Sequence, residues 1–276
     1  MIIEKLKNEI VVKNLDDFDI DHILLCGQIF RYKKTDFGYL VFSKDKVAKV
    51  YKGEDSCRIV TDDVDYFYNY FDLDTNYTEI KKTLSDFVEL KKPLEYGFGI
   101  RILRQDIFET IISFIISANN NIKRIQGIVE RISEGFGKKI GNFCAFPTID
   151  ELSLADENFY KSIGAGYRSP YLVRVVQQLK SKEFDIEKLK LLSTKELKKK
   201  LMELSGVGPK VADCILLFGF ARGDVFPVDT WGQKIYEQDF CGKETDRNKI
   251  TDFFVDKFGN LSGYAQQYLF FYKREN

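Results

Sequence analysis

The 276-residue chain lacks the cysteine spacing of a metal site or a disulfide framework. Its five cysteines are scattered, which is typical of reduced thiols and excludes a zinc or iron–sulfur motif. It also lacks net charge, with 42 basic and 42 acidic residues. This balance argues mildly against a protein that binds nucleic acid through charge alone. It does not exclude one that binds phosphate with backbone amides, because helix N-termini carry no formal charge.

Long apolar runs are missing as well. None reaches the ~20 residues of a membrane span, and the first nine residues are too charged for a secretory signal. Hydrophobic residues make up 44% of the chain and aromatic residues 14%, so it can build a folded core. We expect a cytoplasmic protein without a membrane partner.

The chain changes character near residue 98. Before it lie short alternating segments separated by turn residues, which predict an antiparallel meander. The predicted strands are residues 27–33, 39–42, 46–51 and 57–60. Beyond Lys91-Lys-Pro93 and Gly97-Phe-Gly99, strand signals fade and helices dominate. We therefore predict an α+β protein, with an N-terminal antiparallel β-sheet domain with helices over residues 1–98 and an all-α domain over residues 99–276.

Helical stripes recur at 3.6-residue spacing. Residues 107–116 are apolar nearly all round, which predicts a buried central helix. Ser193-Thr-Lys-Glu196 is a capping box and predicts a helix start. The other stripes are Val64/Phe67/Tyr68/Phe71, Ile80/Leu84/Phe87/Val88, Ile122/Ile125/Val129/Ile132 and Ile250/Phe253/Phe254/Phe258, and a last helix begins near Ser262.

The segment Leu204-Ser-Gly-Val-Gly-Pro-Lys210 predicts a hairpin between two helices. Gly206 and Gly208 allow positive φ and close backbone approach, and Pro209 suits the first turn of the second helix. The free amides of that turn favour a phosphate ligand. An ordinary corner between two helices is the alternative, since Gly-x-Gly alone is a weak signal.

Two charged residues close to this hairpin have the chemistry of an active site. The helix dipole disfavours a cation at Lys210, and partial burial would lower its pKa further. A neutral amine can attack a sugar carbon and form a Schiff base; the alternative is a cation that contacts phosphate. Asp229 follows Pro227 and precedes a helix start, so it can act as an ionised carboxylate or serve only as a helix cap.

With these motifs the chain resembles the helix-hairpin-helix-Gly/Pro-Asp DNA glycosylases, and within them the 8-oxoguanine DNA glycosylases in their bacterial form. The likeness covers most of the chain. Besides the hairpin and Val225-Phe-Pro-Val-Asp229, it is carried by Cys26-Gly27-Gln-Ile-Phe-Arg31, Gly99-Ile-Arg-Ile-Leu-Arg-Gln-Asp106, Ser117-Ala-Asn119, Gly164-Ala-Gly-Tyr167-Arg168 and Gly263-Tyr-Ala-Gln266.

The resemblance implies excision of 8-oxoguanine from double-stranded DNA by a monomer, followed by strand cleavage. Lys210 matches the nucleophile and Asp229 the catalytic carboxylate. The base leaves the stack and is read in a pocket. Its N7, unlike that of guanine, is a donor, and the Gly27 carbonyl matches the acceptor. The other matching pocket residues are Cys214, Pro227, Gln266 and Phe270. From the residues alone, Phe270 fits a core aromatic and Cys214 a buried small residue.

The resemblance also assigns DNA contacts. Residues that fill the vacated space and contact the orphaned cytosine match Asn119, Arg124, Tyr167 and Arg168, while Gly206 and Gly208 belong to the phosphate-binding hairpin. For Arg124 the alternative is a solvated helix charge. No cofactor is expected for the chemistry. A structural monovalent or calcium cation is expected on the main-chain carbonyls of Met202, Leu204 and Val207.

One position departs from the family. Trp231 stands where eukaryotic members have a histidine thought to touch the phosphate beside the lesion, and the only histidine here is His22. Two rival functions remain at this point. An alkylpurine glycosylase of the same superfamily would lack the lysine, and a non-catalytic helix-hairpin-helix module would only bind DNA.

Overall fold

The computed structural model describes residues 1–181 and 184–276. Its N-terminal part contains a six-stranded antiparallel sheet with strand order β1-β2-β6-β5-β4-β3. The strands are β1 (Ile2–Leu6), β2 (Glu9–Lys13), β3 (Tyr32–Thr35), β4 (Gly38–Ser43), β5 (Lys46–Lys52) and β6 (Ser56–Thr61). The predicted antiparallel sheet is therefore confirmed, although β1 and β2 were not foreseen.

The strand predicted over residues 27–33 is largely wrong. Pairing begins only at Tyr32, because Gly27 has φ of 88° and cannot lie in a strand. Residues 27–31 instead form a loop. We call it the Gly27 loop.

Helices account for most of the remaining chain. They are α1 (Ile20–Leu25), α2 (Val64–Tyr70), α3 (Tyr77–Leu84), α4 (Lys91–Tyr96), α5 (Ile107–Ser117), α6 (Ile122–Phe136), α7 (Ile149–Leu152), α8 (Glu157–Ser162), α9 (Ser169–Lys180), α10 (Ile186–Leu189), α11 (Thr194–Leu201), α12 (Pro209–Phe218), α13 (Thr230–Asp239), α14 (Arg247–Phe258) and α15 (Ser262–Glu275). A short strand pair, β7 (Lys139–Ile140) and β8 (Phe143–Cys144), interrupts the part predicted as all-α. The α+β fold class is confirmed.

Three hydrophobic cores hold these elements together. The first lies between the sheet and helices α1 and α2, and the second surrounds α5, whose predicted central position is confirmed. The third core joins Leu94 of α4 to α13, α14 and α15, with Phe226 and Phe254 stacked at 3.9 Å between ring centroids. Side chains from both sides of residue 98 share this core, and the predicted domain boundary stays a prediction.

Local signals set most helix ends. Ser193 and Glu196 form the predicted capping box at the start of α11. The stripe predicted to end at Val88 fails, because α3 stops at Leu84 and Val88 is 72% exposed. No helix in the described residues is long and apolar enough to cross a bilayer.

Candidate active site at the hairpin

The hairpin joins α11 to α12 through two glycines that serve different purposes. Gly206 has φ of 85°, and a Cβ added there would lie 3.0 Å from the Cβ of Tyr171, so only glycine fits without strain. Gly208 has φ of −92°, and a Cβ there would meet no atom within 4 Å. Of the two uses expected of these glycines, Gly208 therefore does not serve the first, a positive φ. Its exposed backbone is instead open to an approaching ligand.

A cleft of about 450 Å³ lies beside the hairpin turn. Its walls include Tyr167 and Arg168 together with Gly206 and Gly208. The structure thus brings together residues from two of the segments that were assigned to DNA contact. Met202, Leu204 and Val207 also line this cleft.

Lys210 occupies the second position of α12 and is half-buried. Its Nζ lies 5.7 Å from the centroid of the Phe114 ring. Burial disfavours the ammonium form, but the Cys214 sulfur and the Asp229 carboxylate outweigh burial, and the pKa of Lys210 is raised. The expected lowering of this pKa is therefore wrong, because the contacts with Cys214 and Asp229 favour the ammonium form more than burial disfavours it. Lys210 must therefore lose a proton before it can act as a nucleophile.

Cys214 follows Lys210 by one turn of α12. It is 3% exposed, and burial raises the pKa of its thiol to about 11, so the thiol is protonated at neutral pH. Lys210 and Cys214 share one face of the helix because they are four residues apart.

Asp229 caps the start of α13 and follows a buried segment of the chain. Phe226, Pro227 and Val228 are buried before it, and the Phe226 carbonyl accepts a hydrogen bond of 3.1 Å from Thr251 Oγ1. Asp229 Oδ1 accepts hydrogen bonds from the amides of Trp231 at 2.9 Å and Gly232 at 3.0 Å. The predicted cap is present. It uses one carboxylate oxygen, and Oδ2 has no hydrogen-bond donor in the part of the chain described.

The Gly27 loop lies against the C-terminal helix. A Cβ added to Gly27 would lie 3.2 Å from Phe270 Cε1 and 3.0 Å from Arg274 Nη1. The positive φ and these two contacts together require glycine. Within the residues described, no N–H or O–H group donates to the Gly27 carbonyl, so this acceptor remains available.

Gln28 fixes this loop, and sequence reasoning did not assign it a role. Its fully buried side chain donates to the carbonyls of Ile23 and Arg101 at 2.8 Å and accepts from the Leu103 amide at 2.8 Å. The partners lie up to 75 residues away, so no local pattern could have revealed them.

Gln266 and Phe270 lie one turn apart on α15 and are buried to different degrees. Gln266 is 7% exposed, whereas Phe270 is half-buried. A Cβ added to Gly263 would clash with the Leu217 side chain, so α15 packs against α12 there. Gln266 and Cys214 each lie about one turn from this contact. The structure thus ties the helix of Phe270 to that of Lys210.

The segments expected to fill the space that an extruded base leaves in the DNA meet around Asn119, whose φ is 50°. Arg168 is 3% exposed and donates to the carbonyls of Ala118 and Asn119, at 3.1 Å and 2.9 Å. Tyr167 stacks on this guanidinium at 4.3 Å and is 58% exposed. Arg168 therefore supports the loop in this structure, and its direct contact with a base stays a prediction. Arg124 is exposed and donates to the Gly164 carbonyl at 3.0 Å.

A second residue without an assigned role is Asp213. It is 1% exposed and forms an ion pair of 2.8 Å with Lys198, which joins α11 to α12. Burial raises the pKa of Asp213 to about 6 against the opposing effect of Lys198.

Comparison with known proteins identifies the family. Residues 10–111 match the family model for the 8-oxoguanine DNA glycosylase N-terminal domain. A probable N-glycosylase/DNA lyase of Methanothermobacter thermautotrophicus is 31% identical over 238 residues, which cover 77% of this chain and 74% of the relative. The chain belongs to the 8-oxoguanine DNA glycosylase family.

Comparison with solved structures supports the same family. The Clostridium acetobutylicum 8-oxoguanine glycosylase/lyase, in complex with double-stranded DNA containing cytosine opposite 8-oxoguanine, superposes with a TM-score of 0.95. It is 41% identical, and the match covers 100% of this chain and 98% of the other. The 3-methyladenine DNA glycosylase of Archaeoglobus fulgidus shares the fold, with a TM-score of 0.71, over 96% of this chain and 98% of its own, but it is only 19% identical.

Proposed function

We propose that the chain is a bifunctional DNA glycosylase and lyase that excises 8-oxoguanine from double-stranded DNA. The observation that carries the proposal is that the Lys210 amine lies at the start of α12, directly after the hairpin glycines, and is influenced by the Asp229 carboxylate at the start of α13. An alkylpurine glycosylase that relies on the aspartate alone would not need Lys210. Family membership supports the same choice of substrate.

Lys210 is the nucleophile in this proposal. After losing its proton, Nζ forms a bond to C1′ of the extruded nucleotide while the bond from C1′ to the base breaks. The base leaves with the bonding electrons and takes up a proton. The bond from C1′ to O4′ then breaks, O4′ takes up the proton that Nζ gives up, and the opened sugar is held as a protonated Schiff base. This Schiff base acidifies the C2′ hydrogens, so loss of a C2′ proton expels the 3′ phosphate by β-elimination. Asp229 Oδ2, which capping leaves free, stabilises the positive charge that develops on the sugar.

The Gly27 carbonyl selects the oxidised base. It accepts from N7–H of 8-oxoguanine but would face a lone pair on guanine, which costs about 1–3 kcal/mol for an unpaired buried group. Gln266 binds the Watson–Crick edge, and Phe270 and Cys214 sandwich the ring beside Pro227. Asn119, Arg124, Tyr167 and Arg168 serve the opposite strand, with Arg168 acting through the loop it supports.

The test is covalent trapping. Wild-type protein incubated with borohydride and a duplex containing 8-oxoguanine opposite cytosine should form a stable adduct, and Lys210→Gln should form none. Lys195→Gln, which removes an exposed amine from the preceding helix, is the matched control and should trap normally. Absence of an adduct with the wild type would overturn the lyase assignment. A guanine duplex should give no adduct in any variant.

We also propose that the hairpin carries a structural cation on the main-chain carbonyls of Met202, Leu204 and Val207. The Leu204 carbonyl accepts one hydrogen bond, 3.1 Å long, from the Val207 amide and keeps a second lone pair. Thermal melts in potassium, sodium, calcium and choline chloride should show a higher Tm with one of the metal ions. Identical melting in all four salts would contradict the site.

We also propose that the protein works as a monomer where genomic DNA is accessible, which in a bacterium is the cytoplasm and nucleoid.

A further inference from the structure

A cleft of about 880 Å³ opens between α4, one side of α13 along its whole length and the end of α15. It adjoins the proposed active site from two sides. Trp231, on its wall, follows Asp229 by two residues, and Leu269 and Arg274 flank Phe270 on α15. A strand of DNA whose sugar lies at Asp229 would therefore continue past this cleft.

Positive charge is concentrated here. The basic lining residues are Lys91, Lys92, Lys234, Lys273 and Arg274. The two carboxylates of the lining that could neutralise them are already engaged. Asp239 pairs with Lys273 at 2.8 Å, and Glu89 pairs with Lys257 at 3.6 Å.

Three of these lysines remain without a carboxylate partner. Lys91, Lys92 and Lys234 form no ion pair within residues 1–181 and 184–276, and all three are exposed. The chain as a whole has no net charge. Three unpaired ammonium groups in one cleft are therefore a local feature, and such a feature attracts a polyanion.

Trp231 gives this charge a defined position. It is the only tryptophan of the chain, and its ring lies 4.7 Å from the Nζ of Lys234. The two residues are three apart on α13, so they share a face. A cation–π contact holds an otherwise mobile ammonium over the ring at the entrance nearest Asp229.

We propose that this cleft binds the backbone of the lesion-containing strand beyond the extruded nucleotide, with Lys91, Lys92 and Lys234 on its phosphates. Trp231 is a positioning residue that orients Lys234. The inference rests on the proposed function, because it requires DNA at Asp229. It adds an electrostatic contact to a site whose hairpin binds phosphate with uncharged amides.

Salt dependence of binding measures such contacts directly. A duplex carrying a non-hydrolysable 2′-fluoro analogue of the 8-oxoguanine nucleotide should be titrated at several salt concentrations. Each phosphate contact contributes about 0.9 to the slope of log K against log salt. Lys91→Ala, Lys92→Ala and Lys234→Ala should each reduce the slope by about 0.9, and the triple variant by about 2.7. Binding to undamaged duplex should change in the same way.

The matched control is Lys7→Ala, in the exposed turn between β1 and β2, which should leave the slope unchanged. Trp231→Ala should reduce the slope as much as Lys234→Ala does. Trp231→Phe keeps an aromatic ring for Lys234 and should reduce the slope less. A triple variant with the wild-type slope would overturn the proposal. So would a slope that falls equally with Lys7→Ala.

Two readouts separate this inference from the proposed function. At saturating protein, Lys7→Ala should trap lesion DNA with borohydride as the wild type does. If the wild type traps and the slopes of all variants agree, the cleft assignment alone is wrong. If the wild type never traps, the proposed function is wrong, whatever the slopes are.

Discussion

Lys210 and Gly27 belong to two halves of one site that are built in different ways. The hairpin half comprises α11, α12 and the start of α13, and its residues are close in sequence as well as in space. The recognition half comprises the Gly27 loop and α15, which lie about 240 residues apart and meet only through packing. The proposed reactive groups are thus positioned by local helix ends, while the surface that we propose selects the base depends on long-range contacts.

The largest effect is expected in the hairpin half, at Asp229. Asparagine caps helices as well as aspartate does, so Asp229→Asn should keep α13 and the Tm. It removes the carboxylate charge, and single-turnover excision should fall by about 10²–10⁴-fold. Asp229→Ala should lose the activity and also about 1 kcal/mol of stability. An active Asp229→Asn enzyme would mean that this residue only caps the helix.

The buried carboxyl group of Asp213, inside the hairpin half, predicts a pH effect on stability. The pKa of Asp213 is about 6 in the folded protein against 3.8, so the folded state holds the proton more tightly. The contribution of Asp213 to the free energy of unfolding is therefore most favourable below pH 3.8 and is lost as pH rises towards 6. This loss amounts to about 3 kcal/mol. Denaturation of wild type and Asp213→Asn at several pH values should show the difference in unfolding free energy moving in favour of the variant over this range. A constant difference would contradict the burial argument.

Replacement of Gly27 should impair excision of the base while cleavage of the strand continues. Gly27→Ala places a methyl group against Phe270 and Arg274 and imposes positive φ on alanine, at a cost of about 1–2 kcal/mol. Excision of 8-oxoguanine should fall, yet cleavage at a preformed abasic site should persist, because Lys210 is untouched. Gly208→Ala is the control for folding, since open space surrounds it. Equal loss of both activities in Gly27→Ala would mean that the halves are not separable.

The smallest effect on stability is expected at Arg124. This exposed side chain makes one hydrogen bond to a carbonyl, so Arg124→Ala should change the unfolding free energy by no more than about 0.5 kcal/mol. Excision rates opposite each of the four bases should nevertheless become more alike. Arg168→Ala should instead destabilise the protein, because it removes the side-chain donor to the Asn119 carbonyl and leaves the Ala118 carbonyl with only the Tyr167 hydroxyl. Similar stability losses in both variants would contradict this distinction.

The sequence was most informative where structure is local. Pro209, the capping box at Ser193 and the cap at Asp229 each act within a few residues, and all three predictions are confirmed. The raised pKa of Lys210 was not foreseen. Its causes are Cys214, one turn along the same helix, and Asp229, whose proximity to Lys210 depends on the fold. The Gly27 loop was predicted as a strand because its shape depends on contacts distant in sequence. Gln28 forms hydrogen bonds with residues 101 and 103.

Peptide mapping of the borohydride-reduced adduct tests the central claim most directly. Digestion of the trapped complex and mass spectrometry should place the sugar remnant on the Nζ of Lys210. A remnant on the N-terminal amine or on any other lysine would contradict the account, even if excision of the oxidised base were efficient.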